Sequence, residues 1–105
     1  MAASTGQAAA RGTLVQTGTK RSVITANENN NLKTSAGKVG HVIVWDAGTS
    51  WTIALYDHAS SNNNQVWQWV TSNGVGIYGL QLPMQNGIRV VTSGSAAGKV
   101  TVVWE

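Results

Sequence analysis

Val39-Gly40-His41-Val42-Ile43-Val44-Trp45-Asp46-Ala47-Gly48-Thr49-Ser50-Trp51-Thr52-Ile53-Ala54-Leu55-Tyr56-Asp57 holds two β-type runs joined by a short polar turn. Successive side chains of a strand point to opposite faces. The first run therefore places Val39, His41, Ile43 and Trp45 on one face and Val42, Val44 and Asp46 on the other. In the second run Trp51, Ile53 and Leu55 alternate with Thr52, Ala54 and Tyr56. β-branched and aromatic residues dominate both, and neither has the 3.6-residue period of a helix.

The same rhythm continues outward. β-type runs begin at Val39, Trp51, Gln65, Val75, Ile88 and Lys99, and Gly, Asn, Ser or Pro cuts each from the next. Spacing of this order marks a sandwich or barrel. Upstream, Leu14–Thr17 and Ser22–Ala26 are short candidates, Asn27–Asn31 reads as a loop and Leu32–Ser35 as a weak strand. Ser60–Asn64 is an exposed polar loop, and Asn73-Gly74 and Asn86-Gly87 are turn signals. Pro83 closes the run before it, because proline cannot sit in a central strand. The expected fold is all-β: an antiparallel sandwich of about eight strands, jelly-roll-like, with almost no helix. Residues 1–20 are expected to form an extended N-terminal arm and residues 21–105 the sandwich domain.

Composition bounds the rest. A chain of 105 residues is one domain, large enough to bury roughly 65% of its unfolded surface. Charged residues make up 10%, against a usual ~25%, so the surface is built for hydroxyl and amide contacts. There is no cysteine, which removes disulfide and thiol chemistry. Met1-Ala2-Ala3-Ser4-Thr5 has no positive n-region and leads to no apolar h-region, which argues against a secretory signal. No apolar run approaches the length of a membrane helix.

Charge is concentrated early. Arg11, Lys20, Arg21, Lys33 and Lys38 stand against Glu28 alone, a balance of +4, whereas the rest sets Arg89 and Lys99 against Asp46, Asp57 and Glu105, a balance of −1. A basic arm meets nucleic acid, an acidic membrane or an acidic protein surface. Nucleic acid is disfavoured, because all seven Trp and Tyr lie beyond residue 44, away from the early basic residues. Arg11, Lys20 and Arg21 are instead expected to contact a protein partner.

Catalytic motifs fail on context. Gly74-Val75-Gly76-Ile77-Tyr78-Gly79 fits G-x-G-x-x-G, but a strand ending, Leu80-Gln81-Leu82-Pro83, follows where the dinucleotide fold needs a helix. Ser35-Ala36-Gly37-Lys38 fits S-x-x-K but is a turn before a strand. Gly94–Val100 is one residue short of a phosphate loop and has Val100 where the magnesium-binding hydroxyl belongs. His41 and His58 have no converging carboxylates in sequence, so no metal or cofactor site is expected and no enzymatic activity.

The tryptophans leave three readings open. There are five, with no phenylalanine. Trp67 and Trp69 share one face of their strand, while Val66 and Val70 make the other face apolar too. Trp67 and Trp69 therefore serve as core, as a protein interface or as a platform for sugar rings. As site residues they are assigned to partner binding.

From Gly37 to Glu105 the chain resembles small phage virion proteins of the head decoration or cement type. The resemblance rests on Trp45–Asp57, on Gly76-Ile77-Tyr78-Gly79-Leu80-Gln81-Leu82-Pro83, on Gly87-Ile88-Arg89-Val90-Val91-Thr92-Ser93-Gly94 and on Gly98-Lys99-Val100-Thr101-Val102-Val103-Trp104. It implies a jelly-roll-like domain on the surface of a capsid, clamping neighbouring subunits of the major capsid protein. It also implies a homo-oligomer, a trimer being one form. Phage fibre, tail and adaptor proteins share such phrases, and a carbohydrate-binding β-sandwich module is the alternative of another class.

Overall fold

The computed structural model describes residues 20–105. The expectations for Arg11, for a strand at Leu14–Thr17 and for nearly all of the arm lie outside these residues. Eight strands follow one another: β1 (Lys20–Ile24), β2 (Asn29–Lys33), β3 (Gly37–Asp46), β4 (Thr49–Tyr56), β5 (Gln65–Val70), β6 (Gly76–Met84), β7 (Ile88–Ala96) and β8 (Lys99–Trp104). A single 3-10 turn, Thr71–Asn73, joins β5 to β6.

The pairing is nested. β1 pairs with β8, β2 with β7, β3 with β6 and β4 with β5, all antiparallel. This is one long hairpin rolled up on itself, the jelly-roll arrangement. Two further pairings, β3 with β8 and β4 with β7, complete two four-stranded sheets in the orders β1-β8-β3-β6 and β2-β7-β4-β5. The expected architecture is therefore the one observed.

The core lies between the sheets. Ile24, Val39, Val42, Val44, Met84, Val100 and Val102 enter it from the first sheet. Trp51, Ile53, Leu55, Trp69, Ile88 and Val90 enter from the second. At roughly 25 cal/mol per Å² of apolar surface removed from water, this layer supplies the main favourable term of folding. Trp51 and Trp69 meet edge to face, with ring centroids 6.1 Å apart and planes at 79°. Each indole N–H is satisfied at the margin of the core: Trp51 Nε1 donates to Asn27 Oδ1 at 2.9 Å and Trp69 Nε1 to the Gly74 carbonyl at 3.1 Å.

Four local readings are corrected. Val39 does not share a face with His41, because the register slips between them against both neighbouring strands. The bulge inserts Gly40 and turns Val39 inward with Val42, leaving His41, Ile43 and Trp45 outside. Asn29–Asn31 is strand, not loop. Asparagine is a poor strand former, but pairing with β7 and the side-chain bonds Asn30 Nδ2 to Glu28 Oε1 and Arg89 Nη1 to Asn31 Oδ1 hold it extended. Pro83 does not end β6, which runs to Met84. β6 is an edge strand, where a missing N–H is tolerated. Finally, the run that begins at Ile88, read from sequence as Ile88–Thr92, continues as β7 to Ala96, because Thr49 and Trp51 of β4 pair with Ala96 and Gly94.

Candidate functional site

The two outer faces of the sandwich differ in chemistry. On the first sheet, cross-strand register aligns Val23, Thr101, Ile43 and Ile77 in one row and Arg21, Val103, His41 and Gly79 in the next. Val23 is 57% exposed and Ile77 71%. Trp45, 59% exposed, extends the row from the same outer face of β3, and its Nε1 donates to Thr101 Oγ1 at 2.9 Å. That bond lays the indole over the threonine, which is why Thr101 is buried on an outer face. Arg21 and Lys99 stand exposed at the margin. The result is an apolar centre with a charged rim, in which Asp46 stands opposite Lys99. A strand with one face on the core ordinarily has a polar outer face, so this one is out of keeping with solvent.

The outer face of the second sheet is mixed, with Val66 exposed on β5 and a polar row at one end. Its register aligns Asn31, Arg89, Tyr56 and Gln65 in a single row across all four strands. Gln68 follows on β5 and accepts a hydrogen bond from Gln65 Nε2 at 3.0 Å. The loop between β4 and β5 folds against this face and brings Asn62 Oδ1 to Arg89 Nε at 2.8 Å.

That loop is held by local polar contacts. His58 Nδ1 accepts from the backbone N–H groups of Ser60 and Ser61, both at 3.1 Å. The Asp57 N–H donates to the Asn64 carbonyl at 2.9 Å, closing the loop's base. The Asp57 carboxylate accepts from the backbone N–H groups of Gln85 and Asn86 at 3.0 and 2.7 Å, tying the loop to the β6–β7 turn. Burial acts to raise the Asp57 pKa, but the N–H donors of Gln85, Asn86 and Gly87 and the neighbouring His58 outweigh it, so the pKa falls below its ordinary value. Folding therefore favours the carboxylate. Its contribution is fully present above the unfolded value of ~3.9 and is lost as the pH falls through the lower folded value. Asp57→Asn is expected to lower the melting temperature at pH 7 and to lower it much less at pH 3. Equal effects at both pH values would disprove the clasp.

An open hollow of about 470 Å³ lies beside Ser50, Trp51, Thr52, Val70, Thr71 and Ser72. Thr71 is tied into the fold there: the Trp51 N–H donates to Thr71 Oγ1 at 2.8 Å, and Thr71 Oγ1 donates to the Ala47 carbonyl at 2.9 Å. The hollow presents no acid, base or nucleophile pair. Among the described residues no group of three or more His, Cys, Asp or Glu is placed to hold a metal, and no helix is long and apolar enough to cross a membrane.

The residues expected to bind a partner are dispersed. Lys20 opens β1 with its Nζ 5.7 Å from the centroid of the Trp104 ring, a cation–π contact. Arg21 lies exposed beside the apolar face. Trp69 is corrected: at 1% exposure it belongs to the core and cannot reach a partner. Trp67 shares that inward face, half-buried, with its ring 6.0 Å from that of Tyr78. The outward side of β5 carries Val66, Gln68 and Val70, so the strand has an indole core face and a mixed outer one.

Sequence reasoning passed over Val23, Ile77 and Arg89. Grouping Ile43 with Trp45 was the signal within reach for the apolar face. The rest depends on which strands become neighbours. Compared with protein families, curated proteins and solved structures, the chain returns no match.

Proposed function

We propose that this chain is a phage head decoration or cement protein. In this reading it is a non-enzymatic jelly-roll domain that sits on the capsid surface as a homo-oligomer and bridges neighbouring subunits of the major capsid protein. The observation that carries the proposal is the apolar outer face of the first sheet, with Val23, Trp45 and Ile77 uncovered among the described residues. Contiguous apolar surface of this kind marks an interaction site. Its centre supplies the desolvated anchors of an interface, and tryptophan is among the residues that most often carry binding energy. The rim, with Arg21 on one side and Lys99 opposite Asp46 on another, fits a partner surface with an apolar centre and a margin that carries both charges.

The proposed role follows from mechanics. A shell filled under pressure is stabilised by any stiff body that binds across the seam between subunits. A two-sheet sandwich with a continuous core is such a body, and many copies on one symmetric particle offset weak individual contacts.

The double substitution Trp45→Lys with Ile77→Lys tests this. Both side chains are mostly solvent-exposed, so the purified domain is expected to melt within a few degrees of the parent, as exposed substitutions usually cost under ~0.5 kcal/mol each. Losing two anchors worth ~2 kcal/mol each weakens affinity for purified capsids by a factor of hundreds. Undiminished occupancy would rule out this face. A fibre or tail location would show instead as retained binding to whole particles with none to empty heads.

A further inference from the structure

Arg89 carries a charge that the fold does not balance. Arginine stays protonated in proteins, and this one is only 8% exposed although it points away from the core. Ile88 and Val90, on either side of it, fill the interior. Its partners are neutral amides: Nε donates to Asn62 Oδ1 at 2.8 Å, and Nη1 donates to Asn31 Oδ1 at 2.6 Å. Among the described residues Nη2 has no acceptor and no carboxylate pairs with the guanidinium. Burying a cation without a counter-charge is costly. Here a loop clasped by Asp57 and His58 is arranged to deliver Asn62 to it.

The amide geometry leaves donors free. With their oxygens committed to Arg89, Asn31 and Asn62 each retain an NH2 group, and neither has an acceptor among the described residues. The remaining guanidinium nitrogen and two amide nitrogens are donors without an acceptor among the described residues, and a carboxylate brings both the paired oxygens and the counter-charge that they lack. Tyr56 and Gln65 continue the row, and Gln68 follows beside them. Phenol and amide groups both donate and accept, as sugar hydroxyls do, and Tyr56 on this face is only partly buried.

We propose that Arg89 is the anchor of a glycan-binding face on the second sheet, and that its ligand is a saccharide bearing a carboxylate, such as a uronic acid. A phosphate would call for more than one cation. An acidic peptide would call for apolar pockets beside the charge, and the row around Arg89 offers the polar side chains of Asn31, Tyr56 and Gln65 instead. The site is on the opposite side of the sandwich from the apolar face and does not depend on what that face binds.

Calorimetric titration of the intact chain with trigalacturonate, its methyl ester and a tetraglutamate peptide tests this. A charge-assisted, bidentate contact distinguishes acid from ester by about tenfold or more. The acid is therefore expected to bind at least tenfold more tightly than the ester, and the peptide more weakly than the acid. Arg89→Gln is expected to erase the difference between acid and ester, and Asn62→Ala to weaken the acid. Trp45→Lys with Ile77→Lys, on the other face, is expected to leave the titration unchanged. Equal affinity for acid and ester, or no binding of either, overturns the proposal. Tighter binding of the peptide overturns the choice of a sugar. Should Arg89→Gln fail to fold, the parent chain's preference between acid and ester still decides the matter.

Discussion

Trp51→Ala is expected to be among the most destabilising single substitutions in this protein. Trp51 is fully buried in the centre of the core and makes an edge-to-face contact with Trp69. Truncating a buried tryptophan costs about 3–5 kcal/mol, through lost transfer energy and the cavity left behind. A domain of this size has on the order of 5–15 kcal/mol in all. At ~4–8 °C per kcal/mol, the melting temperature falls by on the order of 15–30 °C. Trp69→Ala has a similar expected cost. The two share one contact, so a double-mutant cycle should show coupling of about 0.5–1.5 kcal/mol. Additive losses would mean that the indoles act as independent bulk. A stable, assembly-deficient Trp69→Ala protein would contradict its place in the core.

The second large effect is at the corner of the sandwich. Ala47-Gly48 carries the chain from β3 in one sheet to β4 in the other, and Ala97-Gly98 carries it back from β7 to β8. The two crossings stack on each other. Gly48 has φ +64°, and a Cβ there would run into the Ala96 carbonyl oxygen and lie 2.8 Å from the Gly98 nitrogen. Both the conformation and the space require glycine. Gly74 separates the two causes: its φ is +85°, but a Cβ there meets nothing within 4 Å. With ψ at 170° Gly74 lies in a region that only glycine populates readily, so Gly74→Ala is expected to cost about 1–3 kcal/mol, the conformational term alone. Gly48→Ala adds a backbone collision that only movement of the neighbouring corner can relieve, for a total of about 2–4 kcal/mol. Urea unfolding of the two variants measures the difference. A Gly48→Ala cost no larger than the ~1–2 kcal/mol of a left-handed residue alone would show that the stacked corners are loose.

The sequence was most legible where a short-range pattern meets a long strand. Trp51, Ile53 and Leu55 alternate without interruption, and all three are core, as period two requires. The last strand, Lys99–Trp104, begins where the sequence places its run. The pattern misled at Val39, because one inserted residue inverts every side chain beyond it. It misled at Asn29–Asn31 because propensity was outweighed by a partner strand 58–62 residues away.

The tryptophans show the same division. Counting them and placing Trp67 with Trp69 required only alternation. Deciding that this face is core required the opposite sheet, whose valines close over it. The apolar outer face could not be read from one strand, since Val23, Ile43 and Ile77 lie in three segments brought into one row by nested pairing. Arg89 carried no local signal at all: its setting is made by Asn31, 58 residues away, and Asn62, 27 residues away.

Composition, turn chemistry and alternation by themselves determined the all-β class, the near absence of helix and the approximate number of strands, because these depend on interactions between residues a few positions apart. Strand order, bulges, the sorting of aromatic residues between core and surface, and the contrast between the two outer faces were decided by tertiary structure alone. They are set by hydrogen bonds and packing between segments distant in the chain, and the chain's local pattern holds no record of which segment will lie beside which.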